Sequence, residues 1–403
     1  MHLPISFAWG QQYISLSTDE DSSMKRTRRL VTLGALAASL VLALLGLTAA
    51  SASTPVFKNP GAIALDHQGH LWVANSDYFG ITEIQASTGK VIRVINAKAD
   101  GFIDPSGIAV AGNDVWIVNG GVTYRNGTSH VGTVTELNAT TGALVRTVSL
   151  KNHGITGLSA VSADAHDVWV VADGGARVAE LSVTTGKVVR IRRGRQRIDM
   201  SSGIAVRANR VWIASPEISN GVIERNALSG LKVRTIAPTV LEAQPGGGPK
   251  VTTFLGPQYV AVDSHSVWTA NQGSVKVKLI GGSVTQINAT TGQIVRTVDT
   301  TADRFWGNIR CIVSDGTHVW IVNGADEYRG RMHGDSVTEL NASNGSLVRV
   351  ILLHHGIYSD PYGLVSNGTD LWVTDVGGGK DGYSSVVLEL SAATGAVVRT
   401  IGG

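Results

Sequence analysis

The residues best suited to chemistry sit late in the chain. Asp326-Glu327-Tyr328-Arg329-Gly330-Arg331-Met332-His333-Gly334-Asp335 and His354-His355-Gly356-Ile357-Tyr358-Ser359-Asp360 gather carboxylate, imidazole, guanidinium and phenol groups. Asp303, Arg304 and Trp306 stand just upstream. Imidazoles and carboxylates together can ligate a divalent metal, and His333, His354, His355, Asp326 and Asp360 are the candidates. Arginine beside aromatic rings instead suits recognition, because it combines directional hydrogen bonds with large contact area. Trp306, Arg329, Arg331 and Tyr358 are the candidates for that role. The competing reading of both sets is solvated loop charge. A basic run at Arg192, Arg193, Arg195 and Arg197 is open to the same reading; a phosphate or acidic-polymer site is its functional counterpart.

Such groups act only if a scaffold holds them, and the scaffold is a repeat. Its clearest copy is Val134 to Val148, VTELNATTGALVRTV, and it occurs seven times. The turn glycines are Gly89, Gly142, Gly186, Gly230, Gly292, Gly345 and Gly395. An arginine follows each, from Arg93 to Arg399, and a glutamate precedes each, except that blade five has Gln286. Strand-forming residues on both sides of a polar turn predict a hairpin. A three-residue loop Thr140-Thr141-Gly142 would pair Ala139 with Ala143 and set Glu136 opposite Arg146. Opposite charges so placed contribute roughly 0.2–1 kcal/mol. Read as solvent-exposed, the pair predicts a loss under roughly 1 kcal/mol for Glu136→Ala. A residue fixed in every repeat belongs to the scaffold more readily than to a ligand ring.

Two further strands precede each hairpin. Tryptophans recur on the second, at Trp72, Trp116, Trp169, Trp212, Trp268, Trp320 and Trp372. That spacing fits four-stranded blades, so the expected fold is an all-β, seven-bladed β-propeller over residues 55–403. The tryptophans read as blade-to-blade packing. Alternating strand direction puts the loops after strands two and four on one face. That face holds the irregular loops; the other repeats one Thr-Gly turn. Strand two ends in Asn75, Asn119, Asn271, Asn323 and Asp375, which read as turn starters bonding their own backbone. Cys311, the only cysteine, aligns with small residues such as Ala62, Gly107, Gly157 and Gly203 and reads as core. No strand is set aside to lock the ring, unless residues 54–58 supply one.

The Pro-x-Gly-Ile-Ala-Val start and the Val-Trp-Val-Ala-Asn strand resemble NHL-type repeats and the virginiamycin B lyase family. Asn-Ala-Thr-Thr-Gly followed by a valine-rich strand is similar to the YVTN-repeat propellers. The lyase resemblance implies a divalent metal and a Glu-x-His pair, and this sequence has no Glu-x-His. The hairpin also resembles quinoprotein repeats, but arginine stands where they carry tryptophan, so no quinone is expected.

The net charge of +3 gives no case for nucleic acid. Residues 1–23 carry no assigned role and Met24 reads as a second start. Lys25 to Arg29 is basic, Leu30 to Ala50 is apolar, and Ala50-Ser51-Ala52 has the form of a cleavage site, so 24–52 reads as a secretory signal. An uncleaved anchor through residues 30–50 is the alternative, and the only membrane contact expected. Together these features predict a secreted, monomeric binding module without cofactor, recognising a protein or cell-envelope ligand. The alternative is a metal-dependent lyase or lactonase.

Overall fold

The computed structural model describes residues 56–402 apart from 78–79, 97–101, 124–128, 156, 174–176, 194–202, 216–220, 238–239, 242–249, 252–255, 273–281, 299–307, 325, 329–330, 334, 354–359 and 378–384. For 122–123, 129–130, 173, 193, 240–241, 250–251, 326–328 and 331–333 it describes the backbone alone. The expected upstream segment, signal and cleavage site lie outside the described residues. The chain forms seven four-stranded antiparallel sheets, each from four strands in sequence order once a short ribbon in blade six is set aside. The blades span 60–96, 105–149, 157–193, 204–236, 257–298, 309–352 and 361–401. In blade two the strands are Pro105–Ala111, Asp114–Thr123, Ser129–Asn138 and Leu144–Ser149.

The first strands of successive blades touch one another in an unbroken circuit, and Pro361–Ser366 meets Pro60–Leu65 to complete it. The first strands therefore surround the axis and the fourth strands form the rim. All seven repeated tryptophans lie on second strands and are at most 2% exposed. Trp72 packs with Val115, Ile117 and Leu137 of the next blade, which is the inter-blade role read from the repeat. Among the described residues closure involves no exchanged strand: blade seven keeps its own four, and residues 56–59 form none. Phe57 is instead buried with Ile63 and Leu71 of blade one and with Val387 and Ile401 of blade seven.

The hairpins explain the repeated charges. Glu136 does pair with Arg146, as does each equivalent, including Gln286 with Arg296. The turn differs from the expected one, however. Asn138 N–H donates to Ala143 O and Gly142 N–H to Asn138 O, so four residues rather than three form the loop. Leu137 then faces Leu144, and Val145 is an extra residue that restores Glu136 to Arg146. Such a bulge bends the strand and shifts register by one.

The glutamates are also buried, not exposed: Glu83, Glu136, Glu180, Glu224, Glu339 and Glu389 are at most 4% accessible. Arg146 Nε lies 2.7 Å from Glu136 Oε2, and the same arginine donates to Thr184 O in the next blade at 3.4 Å. The motif recurs around the ring, to Arg399, which reaches Ser87 O of blade one at 3.0 Å. Each arginine thus ties its own third strand to the following blade's turn. The turn glycine has φ near +70° at Gly142, and a β-carbon there would stand 2.6 Å from the Arg93 side chain. Both the left-handed backbone and the neighbour's arginine require glycine.

Candidate binding site at the channel mouth

Strand two ends on the same face as the start of strand one, so the irregular loops surround one mouth of the central channel. The asparagines there neither start turns nor point into a ring. They are buried clamps between strands two and three. Asn119 Nδ2 donates to Thr133 Oγ1 at 3.1 Å and to Thr135 Oγ1 at 3.0 Å. Asn323 treats Ser336 and Thr338 in the same way, at 3.2 and 3.0 Å. The hydroxyl-rich third strands satisfy the Nδ2 donors of these buried amides, while Oδ1 of Asn119 and of Asn323 has no hydrogen-bond partner among the described residues.

A cavity of about 370 Å³ opens at this mouth, lined by Asp104, Ser106, Ser159, Leu158, Tyr259 and Tyr362 with glycine backbone between them. The lining comes chiefly from first strands. At its entry position Gly61, Ser106 and Ser159 of blades one to three give way to Gln258, Arg310 and Tyr362 in blades five to seven. Arg310 Nη2 pairs with Asp360 Oδ2 at 3.1 Å, and its guanidinium sits 5.2 Å from the Tyr362 ring centre. Flat guanidinium over an aromatic face is attractive and holds the ring in place. Burial raises the Tyr259 hydroxyl far above its ordinary pKa, and Tyr362 adds to this while Arg310 opposes it.

Carboxylates also cluster among the described residues of the mouth. Burial pushes Asp335 up to about 7, with Asp375 and Asp360 adding to the effect. Burial also raises Asp104, helped by Asp77. A carboxyl such as Asp335, raised to about 7, can both donate and accept hydrogen bonds, as can the tyrosine and serine hydroxyls. That set fits a hydroxylated or cationic group, and among the described residues the guanidinium beside it, Arg310, is already paired.

The residues singled out from sequence fare unevenly. Asp360 belongs to the mouth through its Arg310 pair. Asp326 lies opposite His333, and Tyr328 opposite Arg331, in a two-stranded ribbon between strands two and three of blade six. Trp306, Arg329, His354, His355 and Tyr358 lie outside the described residues. Among the described residues, no group of three His, Cys, Asp or Glu is placed to hold a metal ion. Cys311 is packed at the first strand of blade six, and burial pushes its thiol up to about 11, which keeps it protonated and inert. The residues in the same register are Gly107 in blade two and Ala160 in blade three, but blade five places Tyr259 there, and blade three's Gly157 falls three residues earlier. Sequence reasoning missed Tyr259, Arg310 and Tyr362 because it looked for breaks in the loops. The signal was a break inside the first strand, where bulky polar residues replace glycine, serine and alanine.

No protein-family model matches this chain, and no curated protein does. Among solved structures the chain is similar to a streptogramin B lyase, with TM-score 0.54 and 14% identity over 80% of this chain and 91% of that one. It is equally similar to a catalytically inactive virginiamycin B lyase from Staphylococcus aureus with quinupristin, at TM-score 0.54 and 14% identity, covering 78% of this chain and 91% of that one. U3-55K matches at TM-score 0.54 and 11% identity, over 81% of this chain and 94% of that one. The chain is a seven-bladed propeller. The likeness to the virginiamycin B lyases read from the repeats is present in the fold, and at these identities it is a likeness of fold alone.

Proposed function

We propose that this chain is an exported binding propeller that recognises a protein or cell-envelope partner through the irregular face. The observation that carries the reading is the broken repeat at the channel mouth. Six blades' worth of buried glutamate–arginine clasps and seven tryptophans serve the ring. Gln258, Tyr259, Arg310 and Tyr362 depart from it together, at one end of the axis. The partner presents a hydroxylated or cationic group to Asp104, Ser106, Ser159 and the two tyrosines. Trp306, Arg329, Arg331 and Tyr358, which the topology assigns to loops of this face, extend the contact surface around it.

The test is photo-crosslinking of the exported protein in envelope extracts of its own host. Tyr362→Ala and the pair Arg331→Ala and Tyr358→Ala are each expected to lose the crosslinked species at unchanged thermal stability. Thr140→Ala, on the opposite face, is expected to keep it. Equal loss in all three would refute the assignment of the face. Stoichiometric divalent ion in purified protein, with lyase or lactonase turnover that Tyr362→Ala leaves intact, would replace the binding reading with the enzymatic one.

A further inference from the structure

Six of the seven seams between blades are closed by the same aliphatic pair. An isoleucine or valine two residues beyond the rim arginine meets a leucine or isoleucine of the next blade's third strand. Ile95 shares a hydrophobic cluster with Leu137, Val148 with Leu181, and Ile236 with Ile287. Val298 does so with Leu340, Ile351 with Leu390, and Ile401 with Ile84. At the seam between blades three and four both members are arginine: Arg192 and Arg225.

Nothing in the scaffold accounts for the exchange. It puts two like charges where the fold otherwise buries hydrocarbon, and the hydrophobic cluster of that seam contains neither. Arg192 Nη2 donates to Ser229 O at 2.5 Å and Arg225 Nη1 to Gly230 O at 3.1 Å, so both converge on one turn. Arg190 joins them there, 2.6 Å from Leu228 O, but it already has Glu180 at 3.0 Å. Among the described residues neither Arg192 nor Arg225 has a carboxylate within 4.0 Å, although the charge of Arg192 still reaches Glu180, and the buried Nε of each has no hydrogen-bond partner there. A guanidinium offers five N–H donors, and among the described residues Arg192 and Arg225 each spend one on this turn. Burial and the charge of Arg192 both depress the pKa of Arg225, as expected of a cation lacking its anion. Beside them Leu228 and Leu231 are 65% and 61% exposed, on a turn that is polar or small in the other blades.

We propose that the three–four seam is a site for a phosphate-type oxyanion, held by Arg192 and Arg225 together. Paired guanidiniums match the spaced oxygens of such an anion through bidentate hydrogen bonds, and the anion removes the repulsion between them. The site is distinct from the channel mouth and stands or falls without it. The basic run that continues to Arg193, Arg195 and Arg197 is its sequence-level mark.

The test compares the wild type with Arg192→Ile plus Arg225→Leu, which installs the pair that the other six seams carry and so is expected to fold. Inorganic phosphate is titrated against chloride at matched ionic strength. The wild-type Tm is expected to rise by several degrees with phosphate, and isothermal titration to give one site. The double variant is expected to melt higher without phosphate and to show no phosphate response. A wild type that ignores phosphate, or a variant that responds equally, overturns the proposal. Sedimentation with phosphatidylglycerol vesicles but not phosphatidylcholine vesicles, lost in the double variant, would assign the phosphate to a lipid headgroup. A phosphate response without sedimentation assigns it to a soluble ester.

Discussion

Blades two and four are built on the same tryptophan–glutamate–arginine unit, and they surround the glutamate with opposite charges. In each, the carboxylate lies opposite the buried tryptophan on one side and the rim arginine on the other. The difference is the first residue of strand two, Asp114 in blade two and Arg210 in blade four. Glu136 therefore shares its single guanidinium, Arg146, with a second carboxylate nearby, and burial with Asp114 pushes it up to about 7. Glu180 in blade three, beside Asp167, is pushed to the same value. Glu224 instead sits between two guanidiniums, bonded to Arg210 through Oε1 and 2.6 Å from Arg234 through Oε2. The geometry of the clasp is fixed by the hairpin, burial raises the proton affinity of Glu136 and Glu180, and the carboxylate at the head of strand two adds to it. A repeat can thus keep one architecture and vary its response to pH from blade to blade.

The sharpest way to break this contrast is to remove the carboxylate from each blade. Glu224→Ala leaves Arg210 and Arg234 half-buried without their anion and is expected to cost about 3 kcal/mol, because an unmatched charge keeps its desolvation penalty. Glu136→Ala strands only Arg146 and relieves the repulsion from Asp114, so about 1.5 kcal/mol is expected. Both exceed what an exposed pair would give, and urea unfolding at pH 7 measures them. Equal losses in the two blades would show that the neighbour at the head of strand two does not matter.

A pH series sharpens the comparison further. Glu136 and Glu180 rise from an ordinary 4.5 to about 7 on folding, so between those values the native state binds more protons than the unfolded one. Their contribution to stability is fully present below about pH 4.5 and is lost as pH climbs through about 7. The urea midpoint of the wild type should therefore fall from pH 5 to pH 8, and Glu136→Gln with Glu180→Gln should flatten that fall. A midpoint that rises over this range would contradict the reading. The smallest effect belongs to Asp114→Asn. Removing one like charge should move the blade-two transition acidward by less than about one pH unit, since burial is the larger cause.

Much of this architecture was legible because its signals repeat. Seven tryptophans, glycines and arginines at fixed offsets leave few arrangements other than seven blades. The Glu136–Arg146 pairing was reached by counting from a three-residue loop. The true loop is one longer, and the bulge at Val145 cancels the error, so the pair was right while the turn was not. Burial of the glutamates was not legible in the same way. A charged residue in a polar-looking hairpin reads as exposed until the tryptophan opposite and the neighbouring blade are in place. The channel mouth was legible only in part. Asp360 was found, whereas Tyr259, Arg310 and Tyr362 were hidden in strands that read as ordinary scaffold. Their meaning comes from which blades face one another across the axis, and no single strand encodes that.

A ring opens wherever its weakest joint gives way, and six of these seven joints carry the same aliphatic pair. Even the joint where Phe57 meets blade seven carries the aliphatic pair and the arginine clasp of the others. The joint holding Arg192 and Arg225 is the exception, so the rate of global unfolding should be governed there. Stability against forced or irreversible unfolding follows that rate rather than the equilibrium free energy. Anion binding at the proposed site should therefore lengthen the lifetime of the whole propeller, and amide exchange under native conditions should show blades three and four parting first.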